Sequence, residues 1–117
     1  MDFDEAVKSH VYWKLILRWL IDGQKSPDIE RTGRDDACEL GAWIREEGAA
    51  LAGLPEYSTL VRTHSDFHKM AAFMVAMVER GDRERALLML EKGGEFDIAS
   101  SLVVDAIRAL ERAAKAS

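Results

Sequence analysis

Large residues recur every three or four positions along most of the chain. In the first segment the stripe comprises Phe3, Ala6, His10, Trp13, Leu17 and Leu20. This spacing predicts one face of an amphipathic helix. Gly23 and Pro27 predict the end of that helix, because glycine closes helices and proline prevents their return. Residues 25–35 are polar and predict a connecting loop.

Two further helices are predicted in the middle of the chain. The first is short, with Asp35 or Asp36 as its cap, Cys38 in its first turn and Gly48 near its end. Pro55 suits the first turn of a long helix that ends near Arg80. Its predicted stripe comprises Leu60, His64, Phe67, Ala71, Met74 and Val78, widened by Val61, His68 and Val75.

The last third of the chain predicts two more helical segments. Gly81 stops the long helix, Asp82 can cap the next one, and residues 83–92 are predicted to be helical. Gly93 and Gly94 predict a break or kink, because each glycine costs about 1 kcal/mol inside a helix. The final stripe is predicted on Ile98, Leu102, Ala106, Ala109, Leu110 and Ala113.

No segment carries a strand signal, since strict alternation and hairpin turns between β-branched runs are absent. The pattern therefore predicts an all-α fold, namely an antiparallel four-helix bundle with an additional short helix that carries Cys38. A length of 117 residues predicts one domain over 1–117.

Composition limits the kinds of partner the protein can have and the cellular compartment in which it is expected. The 16 Lys and Arg against 21 Asp and Glu give a net charge of −5, so no nucleic-acid partner is expected. No apolar run approaches the roughly 18 residues that span a bilayer, so no membrane association is expected. The single cysteine excludes an intramolecular disulfide. The N-terminus is acidic, unlike a secretion signal, and a cytoplasmic location is expected.

The three histidines and the cysteine are the candidate chemistry. His64 and His68 are four residues apart on a predicted helix, so both imidazoles can reach one metal ion. His10 also lies on an apolar stripe, and the N-terminal end of a helix favours a thiolate at Cys38. Three buried imidazoles without partners would be costly, whereas three nitrogens and one sulfur complete a tetrahedron around Zn²⁺. A metal-free bundle with these residues in its core is the alternative.

Three motifs carry a family resemblance. The segments His10-Val11-Tyr12-Trp13, Cys38-Glu39-Leu40-Gly41-Ala42-Trp43 and His64-Ser65-Asp66-Phe67-His68 follow one another in this order. They resemble the signature of the bacterial chemoreceptor zinc-binding (CZB) domain family, HxxW, CxLGxW and HxxxH. The resemblance implies that His10, Cys38, His64 and His68 bind one zinc ion. It also implies a role in signal transduction, beside chemoreceptor or diguanylate cyclase partners.

No enzyme is predicted, because four protein ligands close the zinc shell and Ser65 replaces the glutamate of HExxH. One functional hypothesis is a sensor of zinc or of an oxidant such as hypochlorous acid, with Cys38 as the labile ligand. The other is a structural zinc module for dimerisation or docking, without sensing. A homodimer is expected in either case, with a candidate surface on Met70, Met74, Met77 and Met89. The sequence leaves open whether the chain stands alone or belongs to a larger protein.

Overall fold

The described part of the chain is almost entirely helical. A computed structural model describes residues 1–23, 34 and 38–116. Its helices are α1 (Phe3–Ile21), α2 (Glu39–Arg45), a 3₁₀ helix (Glu47–Leu51), α3 (Pro55–Glu79), α4 (Arg83–Leu90) and α5 (Glu95–Ala116). No strand occurs within those residues, and the predicted all-α class is confirmed. Apart from residue 34, the predicted loop at 25–35 lies outside the described residues, and so do the predicted caps at Asp35 and Asp36.

Local interactions explain where the helices begin and end. The Asp2 carboxylate accepts the Glu5 N–H at 3.2 Å and caps α1. Pro55 is the first residue of α3, where its missing N–H is not needed. Gly81 has a φ of +89° after α3, which glycine adopts without strain, and the adjacent Asp82 N–H donates to the Met77 carbonyl at 2.9 Å.

The predicted break at Gly93 and Gly94 is confirmed. Glycine suits these two positions for different physical reasons. Gly93 has a φ of +84°. Gly94 allows close packing, because a Cβ there would lie 2.5 Å from the carbonyl oxygens of Leu88 and Met89. The chain can therefore leave α4 and enter α5 within four residues.

Four helices pack on one another, and α2 is the additional short helix. α1, α3, α4 and α5 make contacts in every pairwise combination, and α3 packs most extensively against α5. Ion pairs of Asp4 with Arg108 and of Lys14 with Asp97 show that α1 and α5 are antiparallel. The core between the helices includes Leu17, Leu60, Phe67, Met74, Phe96, Ile107 and Leu110.

The structure corrects the predicted stripe of α5. Ile98 and Leu102 are 51% and 52% exposed, while the neighbouring positions Phe96, Ser100 and Val103 are buried. α5 carries apolar residues on two adjacent faces, and spacing alone does not select the face that meets α3. Val61 of α3 is likewise exposed, although the pattern places it beside the buried stripe.

The predicted methionine surface is also corrected. Met74, Met77 and Met89 are buried in the core, and Met70 is half-buried. These residues fill space between helices, as flexible thioethers commonly do. Within the described ranges, no helix combines the length and the apolar character needed to cross a membrane.

Candidate metal centre

Three helices bring the four predicted ligands together. His10 comes from α1, His64 and His68 come from α3, and Cys38 precedes α2. The three histidines are buried and Cys38 is half-buried. One potential ligand atom from each side chain lies within 4.8 Å of all the others. The helical spacing of His64 and His68 therefore does place both imidazoles at one centre.

The distances suit a small cation. Cys38 Sγ lies 3.2 Å from His64 Nε2, which lies 3.1 Å from His68 Nε2. Ligand atoms at the corners of a zinc tetrahedron are about 3.3–3.6 Å apart, given Zn–N of about 2.0–2.1 Å and Zn–S of about 2.3 Å. His64 Nε2 has either one proton to donate or one lone pair to accept with. It therefore cannot form good hydrogen bonds to both Cys38 Sγ and His68 Nε2. A shared cation would satisfy all three atoms.

The orientation of His10 supports the same conclusion. Its Nδ1 lies 2.7 Å from the Ala6 carbonyl oxygen, which can only accept, so Nδ1 carries the proton. The ring therefore directs an unprotonated Nε2 into the cluster. That Nε2 is buried and has no hydrogen-bond partner. An orphaned buried nitrogen is rare in folded proteins, and a metal ion would explain it.

The Ala6 carbonyl is a functional group that the sequence pattern did not identify. A histidine in a helix can donate from Nδ1 to the carbonyl four residues earlier, and this contact fixes the ring orientation and the tautomer. The sequence feature that could have indicated this contact is the position of Ala6, one turn before His10 on the same predicted stripe.

Burial favours the neutral form of His64 and His10, which is the form that binds metals. It lowers the pKa of His64 to about 3, helped by the positive charges that His68, His10 and Arg45 would contribute. Burial also lowers the pKa of His10, although the hydrogen bond to the Ala6 carbonyl acts in the opposite direction and raises it. His64 and His10 thus present lone pairs at neutral pH.

Cys38 is the N-cap residue of α2, one position before the first turn in which the pattern placed it. Its Sγ accepts the Gly41 N–H at 3.4 Å. A negative charge at this position would be stabilised by the helix dipole and by the Gly41 N–H. Cysteine ligates zinc as the thiolate, so this position suits a zinc ligand.

Aromatic rings surround the centre. Phe67 packs edge-on against His10, with ring centroids 5.2 Å apart, and Trp13 lies 6.4 Å from His68 in the same arrangement. Trp43 packs on Phe3, with centroids 5.6 Å apart. These rings exclude water from the histidine side of the cluster and hold α1, α2 and α3 together.

Comparison with known proteins agrees with the geometry. The model of the chemoreceptor zinc-binding domain matches residues 10–75, which is more than half of the chain. The chain belongs to this family. The four side chains form a group compatible with zinc binding. Searches of curated proteins and of solved structures give no significant match.

Proposed function

We propose that this protein is a zinc-binding sensory or regulatory domain of bacterial signalling, in which His10, Cys38, His64 and His68 hold one Zn²⁺. The observation that carries the proposal is the orphaned Nε2 of His10, buried among three other potential ligand atoms. The family match supports it independently. Four protein ligands leave no open position for a substrate or a water molecule, which supports a non-enzymatic role.

Cys38 is the proposed responsive element. It is the most exposed of the four side chains and stands at the start of a helix of seven residues. Bound zinc would keep the thiol deprotonated at neutral pH. Hypochlorous acid then oxidises the thiolate by two electrons: sulfur gains the oxygen of HOCl, and chlorine leaves as chloride, giving sulfenic acid. Sulfenic acid is a poorer zinc ligand than a thiolate, so Cys38 would no longer hold the ion on the side of α2.

α2 is the element that such a change would release. Leu40 and Ile44 bury its inner face, and the Tyr57 hydroxyl donates to the Ile44 carbonyl at 2.8 Å. Because these contacts are few, loss of the bond between Cys38 and zinc would shift the equilibrium of α2 from the docked toward the undocked state. The signal would pass from α2 to an output partner, for which we propose a cytoplasmic chemoreceptor or diguanylate cyclase.

The test is a titration of the tag-free, zinc-loaded protein with hypochlorous acid. Native mass spectrometry counts the zinc, peptide mass spectrometry identifies the oxidised residue, and circular dichroism follows helicity. We expect one zinc per chain, released at about one equivalent of oxidant, with Cys38 as sulfenic acid and most helicity retained. Met70→Leu is the matched control, because Met70 is a half-buried methionine that is not one of the four candidate ligands, and we expect this variant to release zinc as the wild type does.

Three outcomes would contradict a sensor that acts through Cys38. If zinc stays bound while Cys38 is oxidised, the thiolate is not the switch. If zinc release unfolds the chain, the site is structural and the protein is a zinc-stabilised docking module. A Cys38→Ser variant that still releases zinc at the wild-type dose would show that another residue responds to the oxidant.

A further inference from the structure

A cavity of about 580 Å³ lies between α3, α4 and α5. Its lining residues are Asp66, Lys69, Met70 and Phe73 of α3, Met89 of α4 and Glu95 of α5. The volume falls within the range of about 300–1,000 Å³ that is usual for small-molecule sites. None of the four candidate metal ligands lines the cavity, so it is a separate candidate site.

Apolar side chains form one part of the lining. Phe73 is 47% exposed although it is a large aromatic residue, whereas Met89 is buried and Met70 is half-buried. Thioethers adapt to the shape of an apolar neighbour and make favourable contacts with aromatic rings. An apolar ligand group that packs onto Phe73 between the two methionines would remove this ring from water.

Three charged side chains form the other part of the lining. Asp66, Lys69 and Glu95 are exposed, and within the described part of the chain none of them forms an ion pair or a side-chain hydrogen bond. Charges beside an apolar wall attract ionic groups of a ligand more strongly than charges that water surrounds fully. The two carboxylates suit an ammonium group, and Lys69 suits a carboxylate.

The charged groups gather toward one end of the cavity. Four lining residues, spaced i, i+3, i+4 and i+7, follow one line of about 10 Å along α3, namely Asp66, Lys69, Met70 and Phe73. Glu95 belongs near Asp66, because the residues that follow them, Phe96 and Phe67, pack with ring centroids 5.2 Å apart. A fitting ligand therefore carries both charges at one end and an apolar group at the other.

We propose that this cavity binds a free α-amino acid with a large apolar side chain. Asp66 and Glu95 attract its ammonium group, Lys69 attracts its carboxylate, and Phe73 packs against its side chain. Such a molecule has both charges on one carbon centre and fits the line of about 10 Å along α3. The inference goes beyond the zinc proposal and does not rest on it. Because exposed ion pairs contribute little, we expect a dissociation constant of about 0.1–1 mM.

The first test titrates L-phenylalanine into the ¹⁵N-labelled, tag-free full chain as purified, followed by amide chemical shifts. We expect saturable shifts confined to residues 66–73 and 89–95. Two analogues keep the ring and remove one charge each. N-acetyl-L-phenylalanine lacks the ammonium group and L-phenylalaninamide lacks the carboxylate, so each should bind the wild type at least about threefold more weakly.

Variants then assign each charge of the ligand to its partner. Asp66→Asn combined with Glu95→Gln should raise the dissociation constant of L-phenylalanine about tenfold and leave N-acetyl-L-phenylalanine bound no more weakly. Lys69→Met should weaken L-phenylalanine about threefold and leave L-phenylalaninamide unchanged. Asp105→Asn is the matched control, because Asp105 is an exposed carboxylate of α5 that does not line the cavity. It should bind as the wild type does.

Three results would overturn the proposal. They are no saturable shift up to about 10 mM L-phenylalanine, shifts outside the cavity, and analogues that bind as tightly as the amino acid. The analogues are compared on the wild type, so this comparison decides even if a variant fails to fold.

Zinc content separates this result from the proposed function. A zinc-loaded chain that does not bind L-phenylalanine would refute the cavity proposal alone. A folded chain that takes up no zinc but binds L-phenylalanine in this cavity would refute the proposed function alone.

Discussion

Replacing His10 by leucine should change the stability of the protein in opposite directions with and without zinc. The metal-free chain buries His10 Nε2 without a partner, at a cost of about 1–3 kcal/mol. Leucine removes that nitrogen and also the hydrogen bond from Nδ1 to Ala6, which contributes about 1 kcal/mol. The Ala6 carbonyl remains an acceptor of the backbone N–H four residues later. The net effect without metal is a stabilisation of about 1 kcal/mol.

Zinc reverses the order of the two proteins. Free zinc at 100 times its dissociation constant stabilises the wild type by about 2.7 kcal/mol. His10→Leu keeps three of the four ligands, so its affinity falls and most of this gain disappears. Urea unfolding followed by circular dichroism, in a chelator and in buffered zinc, measures both effects. With a typical slope of about 2 kcal/mol per molar, the metal-free midpoint should rise by about 0.5 M.

A buried polar residue beside the cluster provides the control. Thr63 donates from its hydroxyl to the Thr59 carbonyl at 2.9 Å, so its polar group is satisfied. Thr63→Val should lower the unfolding free energy by about 1 kcal/mol in both conditions alike. The reasoning is refuted if metal-free His10→Leu is less stable than the wild type and zinc still stabilises it fully.

Two further predictions concern the glycine break and pH. Gly94→Ala should lower the unfolding free energy by about 1–3 kcal/mol, because its Cβ would lie 2.5 Å from the Leu88 and Met89 carbonyl oxygens. Gly53→Ala, with nothing within 4 Å, should change it by less than about 0.5 kcal/mol in the same urea assay, and equal effects would contradict the packing argument. For pH, the folded pKa of His64 is lowered from 6.5 to about 3, so the unfolded metal-free chain binds the proton first. His64 alone should therefore lower the stability without metal by up to about 1.4 kcal/mol per pH unit below pH 6.5, and His10 adds to the fall because its pKa is also lowered. The fall should be less steep in His64→Gln, and a urea midpoint constant from pH 7 to 5 would contradict this.

The sequence was sufficient to predict the helices and the shared face of His64 and His68, because both follow from local spacing. His64 and His68 are four residues apart on one strongly periodic helix, and their shared face follows from helix geometry. His10 and Cys38 could be assigned to the same centre only for two reasons. Three histidine nitrogens and one cysteine sulfur complete a zinc tetrahedron, and the family motifs contain the same residues. The folded chain brings all four together.

The sequence could not select between faces where a helix has two apolar sides. Ile98 and Leu102 have the spacing of core residues, yet tertiary packing buries Phe96 and Val103 instead. Cys38 shows a second limit, since helix ends depend on backbone geometry that composition does not specify. The Ala6 carbonyl shows a third, because any residue type supplies a backbone acceptor.

The most direct test of the central claim is zinc K-edge X-ray absorption of the tag-free protein, purified without added metal. We predict one zinc per chain, with three nitrogen ligands at about 2.0 Å and one sulfur at about 2.3 Å. Cys38→Ser should remove the sulfur contribution. A zinc shell of oxygen and nitrogen atoms in the wild type, or a folded chain that takes up no zinc, would contradict the assignment of His10, Cys38, His64 and His68 as the metal centre.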